Sequence, residues 1–130
     1  MIAVDASAIV AILMGEPEAE AFLQVLARSP CRLSPVGYWE AATTVERYRG
    51  QTGLEDLDRL LDNFDIRIAP ADEWTAREAA DAQRRYGKRT PARLNLGDCF
   101  AYALANRLNA PLLFKGDDFA LTDVRSAVAV

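Results

Sequence analysis

The residues of this 130-residue chain that could do chemistry are acids: Asp5, Glu40, Asp98, Asp117 and Asp118. They follow short apolar runs or lie near the start of amphipathic segments. Carboxylates that meet in a fold repel one another, so their convergence would require bound cations. The chain has no histidine, and oxygen ligands without His or Cys favour Mg²⁺ or Mn²⁺ over zinc. The chemistry that such a cluster supports is metal-assisted hydrolysis of a phosphodiester.

Two of these acids also have a purely structural interpretation. Asp5 could cap the helix that follows it, although Ser7 could do so instead and leave Asp5 free. Asp98 falls in the first turn of a predicted helix, where a negative charge suits the positive end of the helix dipole. The sequence alone leaves both interpretations open.

The other acids also have purely structural interpretations. Glu40 could lie on a solvated helix face, and a buried Glu40 would have to be paired or bound to a cation. Glu46 is a weaker competitor for the same role, because it could pair with a neighbouring arginine. The segment Gly116-Asp117-Asp118 could be a simple turn, since Gly and Asp tolerate the backbone angles that turns need.

The elements that must position these acids follow from the apolar pattern. It predicts the order strand, helix, helix, strand, helix, helix, strand, helix, helix, strand. That order implies an α/β/α three-layer sandwich with a mostly parallel central sheet. We also expect a last short strand at Phe119, Leu121 and Val124, inward packing of Trp74, and an apolar tail at 128–130.

Composition bounds the class of protein. About half of the residues are hydrophobic, which suits one compact domain over residues 1–130. The longest apolar run, Ala6 to Met14, is too short to span a bilayer and has no basic leader, so we expect a cytoplasmic protein without a membrane segment. Cys31 and Cys99 are expected to be buried apolar residues rather than a disulfide. A net charge of -4 argues against non-specific coating of nucleic acid.

A basic cluster precedes the Asp98 helix, between positions 84 and 93. It comprises Arg84, Arg85, Lys88, Arg89 and Arg93. In an acidic protein, this concentration of positive charge could bind a phosphate backbone beside the acids. A solvated loop or an acidic protein partner explains the cluster nearly as well.

Four blocks of this sequence, in this order and spacing, resemble the PIN-domain ribonucleases, and within them the VapC toxins of bacterial toxin–antitoxin systems. The blocks are MIAVDASA at residues 1–8, the Glu40 helix, LNLGDCFAYALA at 94–105, and LLFKGDDFALTDV at 112–124. The resemblance covers the whole chain. It implies a PIN-like fold and an Mg²⁺- or Mn²⁺-dependent endoribonuclease that cuts tRNA or other structured RNA and inhibits translation. It also implies a homodimer that is silenced by a VapB-type antitoxin.

The resemblance also assigns residues. The first three acids of the family's site fall on Asp5, Glu40 and Asp98, and Ser7 matches a small hydroxyl residue near the substrate. The fourth acid is Asp117 or Asp118, with a slight preference for Asp117. These acids would hold the metal and carry catalysis, and we expect Arg85, Lys88 or Arg89 to position RNA.

Two other functions stay open at this point. One is a catalytically silent PIN-like module that only binds RNA or a protein. The other, weaker one is a flavodoxin-like phosphoacceptor that uses the clustered acids and Lys115. The interface of the expected dimer is not located by the sequence, although Tyr38 and Trp39 are possible members.

Overall fold

A parallel sheet of short strands forms the centre of the computed structural model, which describes residues 1–128; the last two residues of the predicted apolar tail lie outside them. The strands are β1 (Ile2–Val4), β2 (Cys31–Leu33), β3 (Ile66–Ile68) and β4 (Leu112–Leu113). Their order across the sheet is β3-β2-β1-β4, and every neighbouring pair is parallel. The predicted parallel sheet is confirmed.

Helices connect the strands in the predicted order. They are α1 (Ala6–Leu13), α2 (Ala19–Arg28), α3 (Pro35–Asn63), α4 (Glu73–Tyr86) and α5 (Leu96–Leu108). The two helices expected between β2 and β3 are the two arms of α3, which is broken at Gly50, where φ is 62° and ψ is -148°. The arms pack closely, because a Cβ atom on Gly53 would lie 2.7 Å from the carbonyl oxygen of Val45.

The helices cover both faces of the sheet, so the predicted three-layer sandwich is confirmed. Side chains alternate along a strand. In β1, Ile2 and Val4 pack against α1, α2 and α3, whereas Ala3 packs with α4 and α5. The carboxyl ends of the parallel strands β1 and β4 lie at one edge of the sheet. Open α/β sheets bind ligands at this edge.

The strand expected at 119–124 is wrong. Phe119 is buried, but the exposed fraction of Leu121 is 62%, so the run lacks the continuous burial of a core strand. The backbone turns instead, with Thr122 N–H donating to the carbonyl oxygen of Phe119 at 3.1 Å. Only an isolated bridge between Leu112 and Ser126 extends the sheet beyond β4 among residues 1–128.

Side-chain predictions outside the site have mixed outcomes. Trp74 does not pack inward: it is 41% exposed, and the guanidinium of Arg107 lies 5.0 Å from the centre of its ring, which gives the ring a cationic neighbour at the surface. Cys31 and Cys99 are buried and free, as expected. No helix within residues 1–128 combines the length and apolarity needed to cross a membrane.

Candidate active site

A cleft of about 430 Å³ opens at the carboxyl ends of β1 and β4. Its lining includes four of the predicted acids, Asp5, Glu40, Asp98 and Asp118. These side chains come from the start of α1, the second turn of α3, the first turn of α5 and the loop after β4. Acids that are far apart in sequence therefore face one space. Asp117 is not among the lining residues.

Asp5 is the most buried acid of the cleft, with an exposed fraction of 5%. Its Oδ2 atom accepts the Ser7 backbone N–H at 3.1 Å and the Ser7 hydroxyl at 2.5 Å. Asp5 is thus the N-cap of α1, so of the two alternatives that the sequence left open, the one in which Ser7 caps the helix and leaves Asp5 free is wrong. Both of these hydrogen bonds from Ser7 go to Oδ2. Burial raises the pKa of Asp5, an effect that the Ser7 hydrogen bonds partly oppose.

Ser7 has a second contact that ties two strand ends together. Its Oγ atom accepts the backbone N–H of Lys115 at 3.0 Å while its own hydroxyl proton goes to Asp5. The hydroxyl therefore links the end of β1 to the loop after β4. This geometry makes Ser7 a group that orients Asp5.

Asp98 is held by a reciprocal cap at the start of α5. The Asn95 side chain accepts the Asp98 backbone N–H at 2.8 Å, and Asp98 Oδ2 accepts the Asn95 backbone N–H at 3.0 Å. This capping box satisfies two backbone donors and fixes the rotamer of the acid. Burial, together with the charges of Asp5 and Asp118, raises the pKa of Asp98 to about 6.

Glu40 projects from α3 toward the first turn of α5. A Cβ atom on Gly97 would lie 2.0 Å from its Oε1 atom, so the carboxylate occupies space that only glycine leaves open. The side chain is half-buried. Burial, then the charges of Asp5 and Asp98, raises the pKa of Glu40 to about 7. Glu40 therefore does not lie on a freely solvated helix face.

The loop after β4 distinguishes the two candidates for the fourth acid by position. Asp118 lines the cleft, and its negative charge raises the pKa values of both Asp5 and Asp98. Both residues are exposed, but Asp117 does not line the cleft, and its carbonyl oxygen accepts the backbone N–H of Ala120 at 3.0 Å. The geometry therefore favours Asp118 over Asp117.

Lys115 and Glu16 also line the cleft; sequence reasoning missed Glu16 as a site residue and named Lys115 only in the phosphoacceptor alternative. The ammonium group of Lys115 forms an ion pair with Glu16 and lies 3.6 Å from Glu18. Hydrogen bonding to Glu16 raises the pKa of Lys115. In the sequence, Glu16 is one of three closely spaced acids near the start of α2, and no local signal distinguishes it from Glu18 or Glu20.

The basic cluster divides into two environments. Arg85 is engaged by α5 and by the segment after β4: its guanidinium lies 3.5 Å from the Tyr102 hydroxyl and 3.7 Å from Asp123. Lys88 and Arg89 line a separate cavity of about 370 Å³. Burial raises the pKa of Asp98, and the positive charge of Lys88 partly opposes that rise, so Lys88 acts electrostatically on an acid of the cleft.

The donor set of the cleft fits a hard divalent cation. Its acids supply only oxygen ligands. Burial raises the pKa values of Asp5, Glu40 and Asp98, and repulsion between neighbouring carboxylates adds to the effect. Within residues 1–128, no three acidic or sulfur side chains are arranged to surround an ion directly. Mg²⁺ suits such a site, because it usually keeps several waters and takes only one or two carboxylates.

Comparison with known proteins identifies the family. The PIN domain family matches residues 2–124. Ribonuclease VapC42 of Mycobacterium tuberculosis is 46% identical over 127 residues, which cover 95% of this chain and 97% of that protein. The chain belongs to the PIN-domain family and, within it, to the VapC ribonucleases. The predicted family and the predicted enzyme class, an endoribonuclease, are confirmed.

Solved VapC structures share the fold. VapC20 of Mycobacterium tuberculosis, described as a sarcin–ricin loop cleaving toxin, has a TM-score of 0.78 at 16% identity and covers 95% of this chain and 96% of its own. The VapBC2 complex of Rickettsia felis, bound to a DNA fragment from its promoter, contains a chain with a TM-score of 0.75 at 16% identity, with 97% and 96% covered. The α/β sandwich is therefore that of the VapC proteins.

Proposed function

We propose that this VapC-type protein is an Mg²⁺- or Mn²⁺-dependent toxin that cleaves tRNA or another structured RNA and so inhibits translation. The observation that carries the proposal is the convergence of Asp5, Glu40, Asp98 and Asp118 on one cleft. With no histidine in the chain, carboxylates and a metal ion are the groups available for phosphodiester hydrolysis.

Each residue of the cleft would have a role in metal binding or orientation that follows from its position. Asp5, Glu40 and Asp98 would hold the ion directly or through its bound waters, with Asp118 completing the site in the same way from the loop after β4. The ion would supply a more acidic water and stabilisation of charge on the phosphate. Ser7 orients Asp5. The capping box orients Asp98, so both carboxylates are preorganised before substrate binds.

RNA would approach from the side of Lys88 and Arg89. Both side chains are exposed and line a cavity of their own, and the charge of Lys88 acts on Asp98. Their charges would offset the repulsion between a phosphate backbone and an acidic protein. Arg85 is a weaker candidate, because Asp123 and Tyr102 already engage its guanidinium.

We further propose a VapB-type antitoxin as the inhibitory partner, a homodimer as the active assembly, and a cytoplasmic location for one domain spanning residues 1–130. The solved VapBC2 complex supports the antitoxin.

Trp39 and Leu96 support the dimer, since they adjoin Glu40 and Gly97 in sequence and are 64% and 66% exposed. Light scattering of wild-type protein and of Trp39→Ala, together with cell fractionation, tests the dimer and the location.

Metal-dependent cleavage is the decisive test of the activity. Purified protein should cleave a tRNA pool in Mg²⁺ or Mn²⁺, lose activity in EDTA, and regain it when either ion is restored. Asp98→Asn should fold and fail to cleave. Mapping 5′ ends in cells that express the wild type or Asp98→Asn, with and without the product of the adjacent small gene, would name the RNA and the antitoxin. Cleavage unaffected by EDTA would contradict the metal mechanism, and RNA binding without cleavage would favour the silent module.

A further inference from the structure

A second cavity, of about 390 Å³, lies apart from the acidic cleft and shares none of its lining residues. Its apolar lining includes Ile68, Pro70, Leu104 and Leu108. Three arginines, Arg32, Arg67 and Arg107, also line it; together these residues define the arginine pocket. An apolar space with a few charged groups is typical of a ligand site, and its volume falls in the usual range for one.

Two of these arginines form a like-charge pair on the sheet. Arg32 of β2 is in register with Arg67 of β3, and Arg32 is also in register with Ala3, which packs in the core beneath α4 and α5. The two guanidinium side chains therefore project from neighbouring strands on one face. Like charges directly across from one another destabilise a sheet.

The ion pairs within residues 1–128 leave Arg32 unmatched and pair Arg67 only at the exposed surface. Arg32 donates to the carbonyl oxygen of Cys31 at 2.9 Å, and none of the ion pairs formed within residues 1–128 includes it. Arg67 pairs with Asp65 at 3.2 Å, but both side chains are about 70% exposed, where an ion pair contributes little. Arg107, by contrast, is matched at 2.8 Å by Asp72, the one acid among the described residues that line the pocket. Unmatched positive charge thus borders an apolar space in a protein whose net charge is -4.

We propose that the arginine pocket binds an acidic segment of a partner protein, which inserts an aliphatic side chain against Leu104 and Leu108 and sets a carboxylate between Arg32 and Arg67. Guanidinium groups recognise carboxylates through paired, charge-assisted hydrogen bonds. Burial of Ile68, which is 45% exposed, would add apolar contact.

RNA fits this pocket less well than an acidic peptide does. Single-stranded RNA is bound through aromatic side chains on which bases stack, and the residues of the described chain that line the pocket include no aromatic side chain. The apolar lining instead suits a Leu, Ile or Val side chain. The proposal does not depend on the reaction in the acidic cleft.

Peptide titration followed by NMR tests the proposal on the full chain. The probes are acetyl-Asp-Leu-Glu-Leu-amide, its neutral analogue acetyl-Asn-Leu-Gln-Leu-amide, and a short single-stranded RNA. The acidic peptide should cause saturable shifts of the amide signals of residues 67–70 and 104–108. The neutral peptide should bind about tenfold more weakly, which corresponds to the loss of one charge-assisted hydrogen bond.

Variants decide whether the arginines carry the binding. Arg32→Gln and, separately, Arg67→Gln should each lower the affinity for the acidic peptide by about tenfold. Arg77→Gln is the matched control, since Arg77 is an exposed arginine on α4 that pairs with Glu73; it should bind like the wild type. Arg67 is well exposed, so its variant tests the pocket even if Arg32→Gln fails to fold. The proposal is overturned if millimolar acidic peptide causes no shifts at the pocket, if both peptides bind equally, or if only RNA binds there.

Discussion

The Glu40 carboxylate occupies the position that a side chain on residue 97 would need, because a Cβ atom on Gly97 would lie 2.0 Å from Glu40 Oε1 and 2.2 Å from Oε2. The backbone of Gly97 does not require glycine for its φ angle, which is unremarkable for an L residue. Glycine is needed for space. It lets α3 bring an acid against the first turn of α5, where Asp98 lies.

Gly97→Ala should therefore displace Glu40 and lower the rate of RNA cleavage by roughly 10²-fold, as misplacement by about an ångström does in other enzymes. Stability should change little, because the atoms that must move are the far end of one flexible side chain. Cleavage rates and thermal unfolding midpoints of wild type and variant measure the two effects.

Gly53→Ala is the matched control for a clash with backbone. Its Cβ atom would meet the Val45 carbonyl oxygen at 2.7 Å, between the two arms of α3 and away from the lining of the cleft. This variant should lose stability, by about 1–3 kcal/mol as overpacked sites do. If Gly97→Ala and Gly53→Ala lost similar stability, the result would contradict the interpretation that the flexible Glu40 side chain is what a Cβ atom on residue 97 displaces.

Asp118→Asn and Asp117→Asn should differ in activity. Asp118 lines the cleft and acts electrostatically on Asp5 and Asp98, so its variant should cleave roughly 10²-fold more slowly, a loss of about 2.7 kcal/mol in transition-state stabilisation. Asp117→Asn changes an exposed carboxylate and should stay within about threefold of wild type. Single-turnover cleavage at saturating Mg²⁺ measures both, and the opposite ranking would restore the sequence-based preference for Asp117.

The fold was predictable because the relevant signals are periodic. Short apolar runs such as Ile2–Val4, which Asp5 ends, and Leu112-Leu113-Phe114 read as parallel strands, and the order of elements then placed several strand ends on one edge of a sheet. The same reasoning brought Asp5, Glu40 and Asp98 toward one edge, and their roles stay predictions. The failed strand at 119–124 shows the limit: Phe119 is buried by itself, without the alternation or continuity that a strand needs.

Finer features of the site depend on contacts that no local pattern encodes. Adjacent turn residues such as Asp117 and Asp118 have the same chemistry, and only the loop geometry determines which one faces the cleft. Lys115 and Glu16 meet across 99 residues of chain, so their pairing is invisible in either segment alone. The use of Asp5 as a cap was likewise undecided, because Ser7 has equal capping ability.

In the metal-free protein, stability should decrease as the pH rises. Glu40 has a pKa of about 7 in place of its ordinary 4.5, and Asp98 has a pKa of about 6 in place of 3.8. The folded state therefore binds these protons more tightly than the unfolded state, so the free energy of unfolding falls between about pH 4 and 7. For half-buried Glu40 the loss is on the order of 1–2 kcal/mol after solvent screening.

Denaturant unfolding at pH 5 and pH 8 in EDTA measures this loss. Glu40→Gln should reduce the difference between the two pH values, while Glu55→Gln, which changes an exposed acid on the second arm of α3, should leave it intact. Mg²⁺ should stabilise the wild type at pH 8 and much less at pH 5, because protons compete with the ion for the carboxylates. An equal effect of Mg²⁺ at both pH values would contradict this linkage.

Tyr102→Phe should loosen the loop that carries Asp118. The buried Tyr102 hydroxyl donates to Asp123, and burial together with this bond raises the pKa of Tyr102 to about 12, so the phenol stays protonated. Removing the hydroxyl should cost about 1 kcal/mol of stability, speed amide hydrogen exchange at residues 117–124, and slow cleavage several-fold. Tyr38→Phe, which removes a hydroxyl bond to Asp58 on the surface, is the control. Unchanged exchange at 117–124 in Tyr102→Phe would show that Asp123 is not what holds the loop in place.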